Sequence, residues 1–177
     1  ALGDLSSDVG SSCLGEDTRC EGLQNTPKRY EKVLQECRAL KEFNFTNFSA
    51  EKTDEMIVQN GIPFFSLCEH HLALFFGTAA VAYIPDGKIA GLSKLARTVS
   101  MFSRRLQNQE RIPTDIADYL EETLKPSGVA VLLRARHLGM EMRGVEKQVA
   151  ETTRSCLRGI CKKSNKCREA LLHLSGR

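Results

Sequence analysis

The sequence predicts an α+β domain in which an antiparallel sheet carries helices on one face. Two observations lead there. Segments rich in β-formers and segments with helical spacing follow one another as strand, strand, helix, helix, strand, strand, an order that suits a sheet with segregated helices. At 177 residues the chain is long enough for one hydrophobic core and too short to divide confidently into two.

The elements are justified in order. Residues 1–14, rich in Gly, Ser and Asp, are expected to be loose. Residues 15–55 are read as an N-terminal helical extension and 56–177 as the principal domain. In the extension, "NTPKRYEKVLQECRAL" predicts a helix with Thr26 as cap and Pro27 at the first helical position. Tyr30, Val33, Leu34 and Cys37 share one face, so this helix is expected to pack on something. "DEMIVQNG" predicts a short strand closed by a turn, and "GTAAVAYIPDGK" a strand ending in a Pro-Asp-Gly turn.

In "LSKLARTVSMFSRRLQ", Leu95, Val99, Phe102 and Leu106 make a helical buried stripe, with Ser93 where a cap belongs. "TDIADYLEETLK" repeats the pattern with Ile116, Leu120 and Leu124 until Pro126-Ser127-Gly128 stops it. "GVAVLLRARHLGMEMRG" predicts a strand in which residues 129, 131, 133, 135 and 137 face one way. "SNKCREALLHL" predicts a last helix burying Cys167, Leu171 and Leu174.

Composition narrows the function classes. A net charge of +3, with 41% hydrophobic and 27% charged residues, is too mild a surplus to argue for nucleic acid or a membrane surface as partner. No apolar run is long enough to span a bilayer, and the first residues lack the pattern of a signal peptide. Seven cysteines without regular spacing predict free thiols in a reducing, cytoplasmic setting rather than a disulfide framework.

Chemistry concentrates in "FSLCEHHLAL". Cys68 and His71 place a thiolate and an imidazole three residues apart, where both can reach one tetrahedral ion. An isolated pair of this kind is more often a buried thiol beside a core histidine. Here His70 and Glu69 raise the density of polar groups in an apolar stretch, where uncommitted polar groups are costly. His137 lies on the strand face just described, and residue 139 shares that face if the strand continues. That residue is Gly139, which offers no ligand atom. Lys94 and Arg97 lie in the first turn of a helix, a favourable place for a phosphate, and Arg143 sits two strand steps beyond Gly139. Arg104, Arg105, Arg134 and Arg136 are read as a solvated charged face. Gln109 and Glu110 fall at a helix junction, where a carboxylate can accept two N–H bonds from a purine or pterin edge.

Taken together, "GEDTRCEGLQNTPKRY", "FFSLCEHH", "VAYIPDGKIAGLSKLAR", "RRLQNQERI", "LKPSGVAV" and "ARHLGMEMRGVEK" resemble GTP cyclohydrolase I, in order, from Gly15 to Leu174. The resemblance implies the tunnelling fold, with subunits joined into a barrel and assembled as a decamer of two pentamers, 56–177 being the catalytic domain. It implies hydrolysis of GTP to 7,8-dihydroneopterin triphosphate and formate with one zinc per site. Cys68 and His71 then correspond to zinc ligands, and His70 and His137 to catalytic histidines. Ser93, Lys94, Arg97 and Arg143 match residues around ribose and triphosphate, and Gln109 and Glu110 the guanine-recognition pair.

The expected partners are GTP, further copies of the chain and a feedback-regulatory protein. The family has a third zinc ligand, a cysteine, where this chain has Gly139, and two protein ligands hold zinc more weakly than three. Three explanations compete for the substitution. The chain is an inactivated variant; another ligand, such as Glu141 or a cysteine of a neighbouring subunit, substitutes; or the pocket is kept for nucleotide binding alone.

Overall fold

The computed structural model describes residues 15–17, 19–38, 43–50 and 53–174, and every statement below refers to these. The loose segment expected at 1–14 lies outside them, as do residues 39–40 at the end of the first predicted helix. The chain divides into two compact units, residues 1–39 and 40–177.

The first unit holds α1 (Glu21–Gln24) and α2 (Thr26–Cys37). Pro27 occupies the first turn of α2, where its missing N–H is not needed. Thr26, expected as the cap, is instead helical: Asn25 takes the cap position, and the Thr26 hydroxyl donates to the Gly22 carbonyl at 3.2 Å. Tyr30 and Val33 are exposed and no residue of α2 is buried, so the predicted apolar stripe is not packed within its own unit.

The second unit is built on a five-stranded sheet of order β5-β2-β3-β6-β7. Its strands are β2 (Ile57–Cys68), β3 (Leu74–Ile84), β5 (Leu106–Gln107), β6 (Gly128–His137) and β7 (Glu151–Gly159). All neighbours pair antiparallel except β5, which runs parallel to the end of β2. A two-stranded ribbon joins β1 (Asn47–Ser49) to β4 (Lys88–Ala90).

The turn predicted after "DEMIVQN" is a β-bulge. Gly61 has φ +65°, and the register with β3 shifts between Gln59 and Ile62, so an extra residue is absorbed and the strand continues to Cys68. Glycine enters this left-handed conformation without a steric cost, and a bulge of this type uses it.

Two long helices, α3 (Leu92–Ser103) and α4 (Arg111–Leu124), cover one face of the sheet. Leu95 and Val99 of α3 and Ile112, Ile116, Leu120 and Leu124 of α4 are completely or almost completely buried. They pack against Phe75, Val81, Tyr83 and the odd-numbered residues Val129 to Ala135 of β6. Burying each Leu or Ile contributes about 1.5–3 kcal/mol. Tyr83 lies in this core with a satisfied hydroxyl, which accepts from the Ala90 N–H at 2.9 Å. Leu106, expected to extend the stripe of α3, lies beyond its end at Ser103 and is 45% exposed on β5.

Helices are not confined to one face. The short helix α6 (Ile160–Lys163) and α7 (Asn165–Leu174) cover Ala80, Ala82, Ala130 and Leu132 on the opposite side with Cys161, Cys167 and Leu171. Cys161 and Cys167 form a disulfide, their Cα atoms 5.1 Å apart, which corrects the expectation of free thiols throughout. Cys20, Cys37, Cys68 and Cys156 are free. Leu174, expected in the core, is 49% exposed, while its backbone carbonyl accepts from the Asn60 side-chain amide of β2 at 2.9 Å.

The strand predicted through residue 143 stops at His137, and Leu138–Glu141 form a helical turn, α5. Gly139, Glu141 and Arg143 therefore do not share the strand face of His137.

Candidate functional site

The β2–β3 hairpin presents "CEHHLA" at its tip. Cys68 ends β2; its N–H donates to the Ala73 carbonyl at 2.8 Å, and the Leu72 N–H donates back to the Cys68 carbonyl at 2.9 Å. To close this loop Leu72 adopts φ +53°, a left-handed conformation that costs a non-glycine residue about 1–2 kcal/mol. The result turns two imidazoles toward one thiol: Cys68 Sγ lies 3.7 Å from His70 Nδ1 and 4.0 Å from His71 Nδ1. Both histidines are exposed and Cys68 is half-buried.

β5 sits beside the end of β2 in register Cys68 to Gln107, which brings the segment 107–111 against the hairpin tip. The Glu69 N–H donates to the Gln107 carbonyl at 3.0 Å. Arg111 grips the Glu69 carboxylate with two N–H groups, at 3.0 and 3.1 Å, and the Asn108 amide adds a third bond at 3.0 Å. The Arg111 guanidinium, then Asn108, hold the Glu69 carboxyl below the usual carboxylate range. Glu69, Asn108 and Arg111 were not foreseen as site residues. The available signal was the joint presence of Glu69 beside Cys68 and Arg111 beside Glu110.

His137 closes the other side. It ends β6 opposite Phe75 of β3 and stacks on that ring, with centroids 4.8 Å apart and planes 5° from parallel. Its Nε2 lies 2.7 Å from Gln109 Oε1, and Gln109, only 2% exposed, donates its amide N–H to the Thr152 carbonyl of β7 at 2.8 Å. Burial pushes the His137 imidazole below its ordinary range, against an opposing pull from the Glu110 charge. Glu110 itself is exposed, at the N-cap position of α4.

Position 139 faces the hairpin although it lies off the strand. A Cβ built on Gly139 stands 3.7 Å from Ala73 Cβ and 3.9 Å from His71 Nδ1, ordinary contact distances with room for a side chain. Glu141 is directed elsewhere: both its oxygens accept from Arg136, which holds it as an ion pair below the usual carboxylate range. In this arrangement Glu141 is engaged by Arg136, and Arg136 is paired rather than merely solvated.

The structure thus gathers Cys68, His70, His71, Gln109, Glu110 and His137 at one end of the sheet. Ser93 and Lys94 lie in the first turn of α3, with Gly91 rather than Ser93 at the cap position. The Lys94 amine stands 5.9 Å above the Phe43 ring. Arg97 and Arg143 are exposed, Arg143 on the segment after α5. Among the described residues no hydrogen bond or ion pair joins these four to the Cys68–His137 cluster.

The donor types suit zinc only in part. Thiolate and imidazole are zinc ligands, but among the described residues no three His, Cys, Asp or Glu side chains form a group able to hold a metal ion. Two donors converge and the position facing them is a glycine, so the set does not close.

A thiol–imidazole pair, a half-buried histidine and an exposed carboxylate on an α+β sheet are groups able to exchange protons with a hydrogen-bonding substrate. The comparisons give the family. The family model described as GTP cyclohydrolase I matches residues 11–176. A GTP cyclohydrolase 1 of Sulfurihydrogenibium sp. is 50% identical over 162 residues, 91% of this chain and 87% of that protein. Those of Streptococcus mutans and Aquifex aeolicus are each 47% identical, over 90% and 91% of this chain and 85% and 88% of their own lengths. The chain belongs to the GTP cyclohydrolase I family. A solved archaeosine synthase, QueF-Like in the apo form, shares the fold at TM-score 0.51 and 17% identity, over 61% of this chain and 97% of its own.

Proposed function

We propose that this chain is a GTP cyclohydrolase I that converts GTP and water to 7,8-dihydroneopterin 3'-triphosphate and formate, the first step of pterin biosynthesis leading to folate or tetrahydrobiopterin. The observation that carries the reading is the placement of the exposed Glu110 carboxylate next to His137, at the end of the sheet where Cys68, His70 and His71 meet.

Opening the imidazole ring of guanine requires water to add at C8 and a proton to reach N7. Glu110, with Gln109 beside it, holds the donor edge of guanine. His137 takes up a proton at its substrate-facing nitrogen and, as the imidazolium, gives it to N7, a transfer its burial favours, and His70, exposed beside Cys68, shuttles protons during ring opening and reclosure. Ser93, Lys94, Arg97 and Arg143 bind ribose and triphosphate, with the N-terminus of α3 favouring the anion. Zinc held by Cys68 and His71 would supply hydroxide near neutral pH.

Gly139 favours a second reading, a catalytically impaired homologue that binds GTP and turns it over slowly. Formate release and pterin fluorescence from GTP separate the two: turnover supports the enzyme, and GTP binding without turnover supports the impaired form. Absence of both contradicts each.

The assembly belongs to the same proposal: subunits of the tunnelling fold joined edge to edge into a barrel and stacked as a decamer of two pentamers. β7 is a sheet edge, and its residues 151–155 are exposed, an arrangement that natural proteins cover or pair. Exposed Met142, Val145 and Val149 lie on the adjoining segment. Residues 15–55 are assigned as the N-terminal extension and 56–177 as the catalytic domain. A cytoplasmic site, where nucleoside triphosphates are supplied, follows from the substrate, and a feedback-regulatory protein is a proposed partner. Among the described residues no helix is long and apolar enough to cross a membrane.

A further inference from the structure

The carbonyl of Thr152 has no proton to give, so the Gln109 atom 2.8 Å from it is the amide nitrogen and the bond runs from Gln109 to Thr152. That fixes the orientation of the whole amide and turns its oxygen toward His137, 2.7 Å from Nε2. A carbonyl oxygen only accepts, so the ring nitrogen facing it carries a hydrogen. Reversing the Gln109 amide would set its oxygen against the Thr152 carbonyl and forfeit that bond in a side chain only 2% exposed, and an unmade buried bond is costly. Phe75, stacked at 4.8 Å on the ring, restrains its tilt.

We propose that Gln109 is a positioning residue that fixes His137 as the Nε2–H tautomer, so that Nδ1 is the nitrogen exchanging a proton with substrate. The chain of bonds starts on the β7 backbone and ends on the imidazole, so the tautomer is set by the fold before any ligand arrives. Histidines that do chemistry are commonly fixed this way, by the bond their second nitrogen makes. The role given to Gln109 deepens the reading above: within the guanine-recognition pair, Glu110 presents the free carboxylate and Gln109 acts through His137. Its catalytic consequence rests on that reading; the tautomer itself does not.

The test is long-range 1H–15N spectroscopy of the full chain labelled at its histidines, with His137 assigned by its loss in His137→Gln. The expected wild-type spectrum, at a pH where the ring is neutral, has protonated Nε2 and unprotonated Nδ1. In Gln109→Met, similar in size but without an acceptor, the two tautomers mix; in Gln109→Glu, which keeps an acceptor, the Nε2–H form returns. GTP turnover falls about 10- to 100-fold in Gln109→Met with a smaller change in KM, the scale at which partners orienting a functional histidine act. A wild-type His137 found as the Nδ1–H tautomer, or a Gln109→Met spectrum identical to wild type, overturns the proposal whether or not the protein turns GTP over. Absence of formate release from a wild type with the expected spectrum counts against the enzymatic reading and leaves the positioning role standing.

Discussion

His137 and His71 stand at the same end of one sheet and are held in contrasting ways. His137 is stacked on Phe75, hydrogen-bonded to Gln109 and half-buried, so its ring has one place to be. His71 is exposed on a hairpin tip, with Cys68 Sγ 4.0 Å away and open room above Gly139 on its other side. The difference teaches where this fold places its organisation. Hydrogen bonds within the chain complete the surroundings of His137, whereas the thiol of Cys68 and the imidazole of His71 meet a glycine where a third donor would stand.

The largest expected effect comes from adding the absent donor. Gly139→Cys places a sulfur beside His71, in a position that already accommodates a Cβ. Zinc affinity, measured by competition with a chelator, rises more than about 100-fold, since even an outer partner of a ligand is worth 10–100-fold. Turnover rises with it. Unchanged affinity contradicts the assignment of position 139 to the metal half.

Next in size is His137→Ala, which removes the organised half: formate release drops by about 10²–10⁴, the range of general acid–base catalysis, with zinc content unaltered. A parallel loss of metal would mean that the halves are not separable. Arg111→Ala probes the link between them. Without its two bonds to Glu69 the hairpin tip is freed beside Cys68, and zinc binding weakens about tenfold while the His137 spectrum stays as in wild type.

The smallest effect is on stability against pH. Burial lowers the His137 pKa from its ordinary 6.5, so the folded state takes up the proton less readily than the unfolded chain. Its contribution to stability is full above 6.5 and is lost as pH falls through the window between that value and the lower folded one. Denaturant unfolding between about pH 5 and 7.5 should show a decline that flattens in His137→Gln. Glu69, also lowered, has its contribution above its ordinary 4.5 and loses it as pH falls further, outside the histidine window.

Much of this was readable from residue order, for reasons that differ by element. Leu95, Val99, Ile116, Leu120 and Leu124 lie at helical spacing because a single stripe faces the sheet, and all five are buried. Val129, Val131 and Leu133 alternate for the same reason and carry His137 on their row. Gly61 misled because a bulge and a turn both use a left-handed glycine, and only pairing with β3 distinguishes them. The end of β6 at His137 was hidden because Leu138 to Glu141 fit a strand by composition, while the Arg136–Glu141 pair closes a helical turn. The disulfide was missed because Cys161 and Cys167 have no regular spacing with the other cysteines, and meet only when α6 and α7 fold over the sheet. Within the site, Cys68, His70 and His71 announce themselves by density. The role of Gln109 depends on a carbonyl of β7 that no local pattern marks.

A crystal structure with a non-hydrolysable GTP analogue tests the central claim most directly, that one end of the sheet holds a purine between an organised histidine and a metal-binding thiolate. The account predicts the guanine edge on Glu110, N7 toward His137 and C8 toward Cys68 and His71. A base lying away from Glu110 and His137 would contradict it.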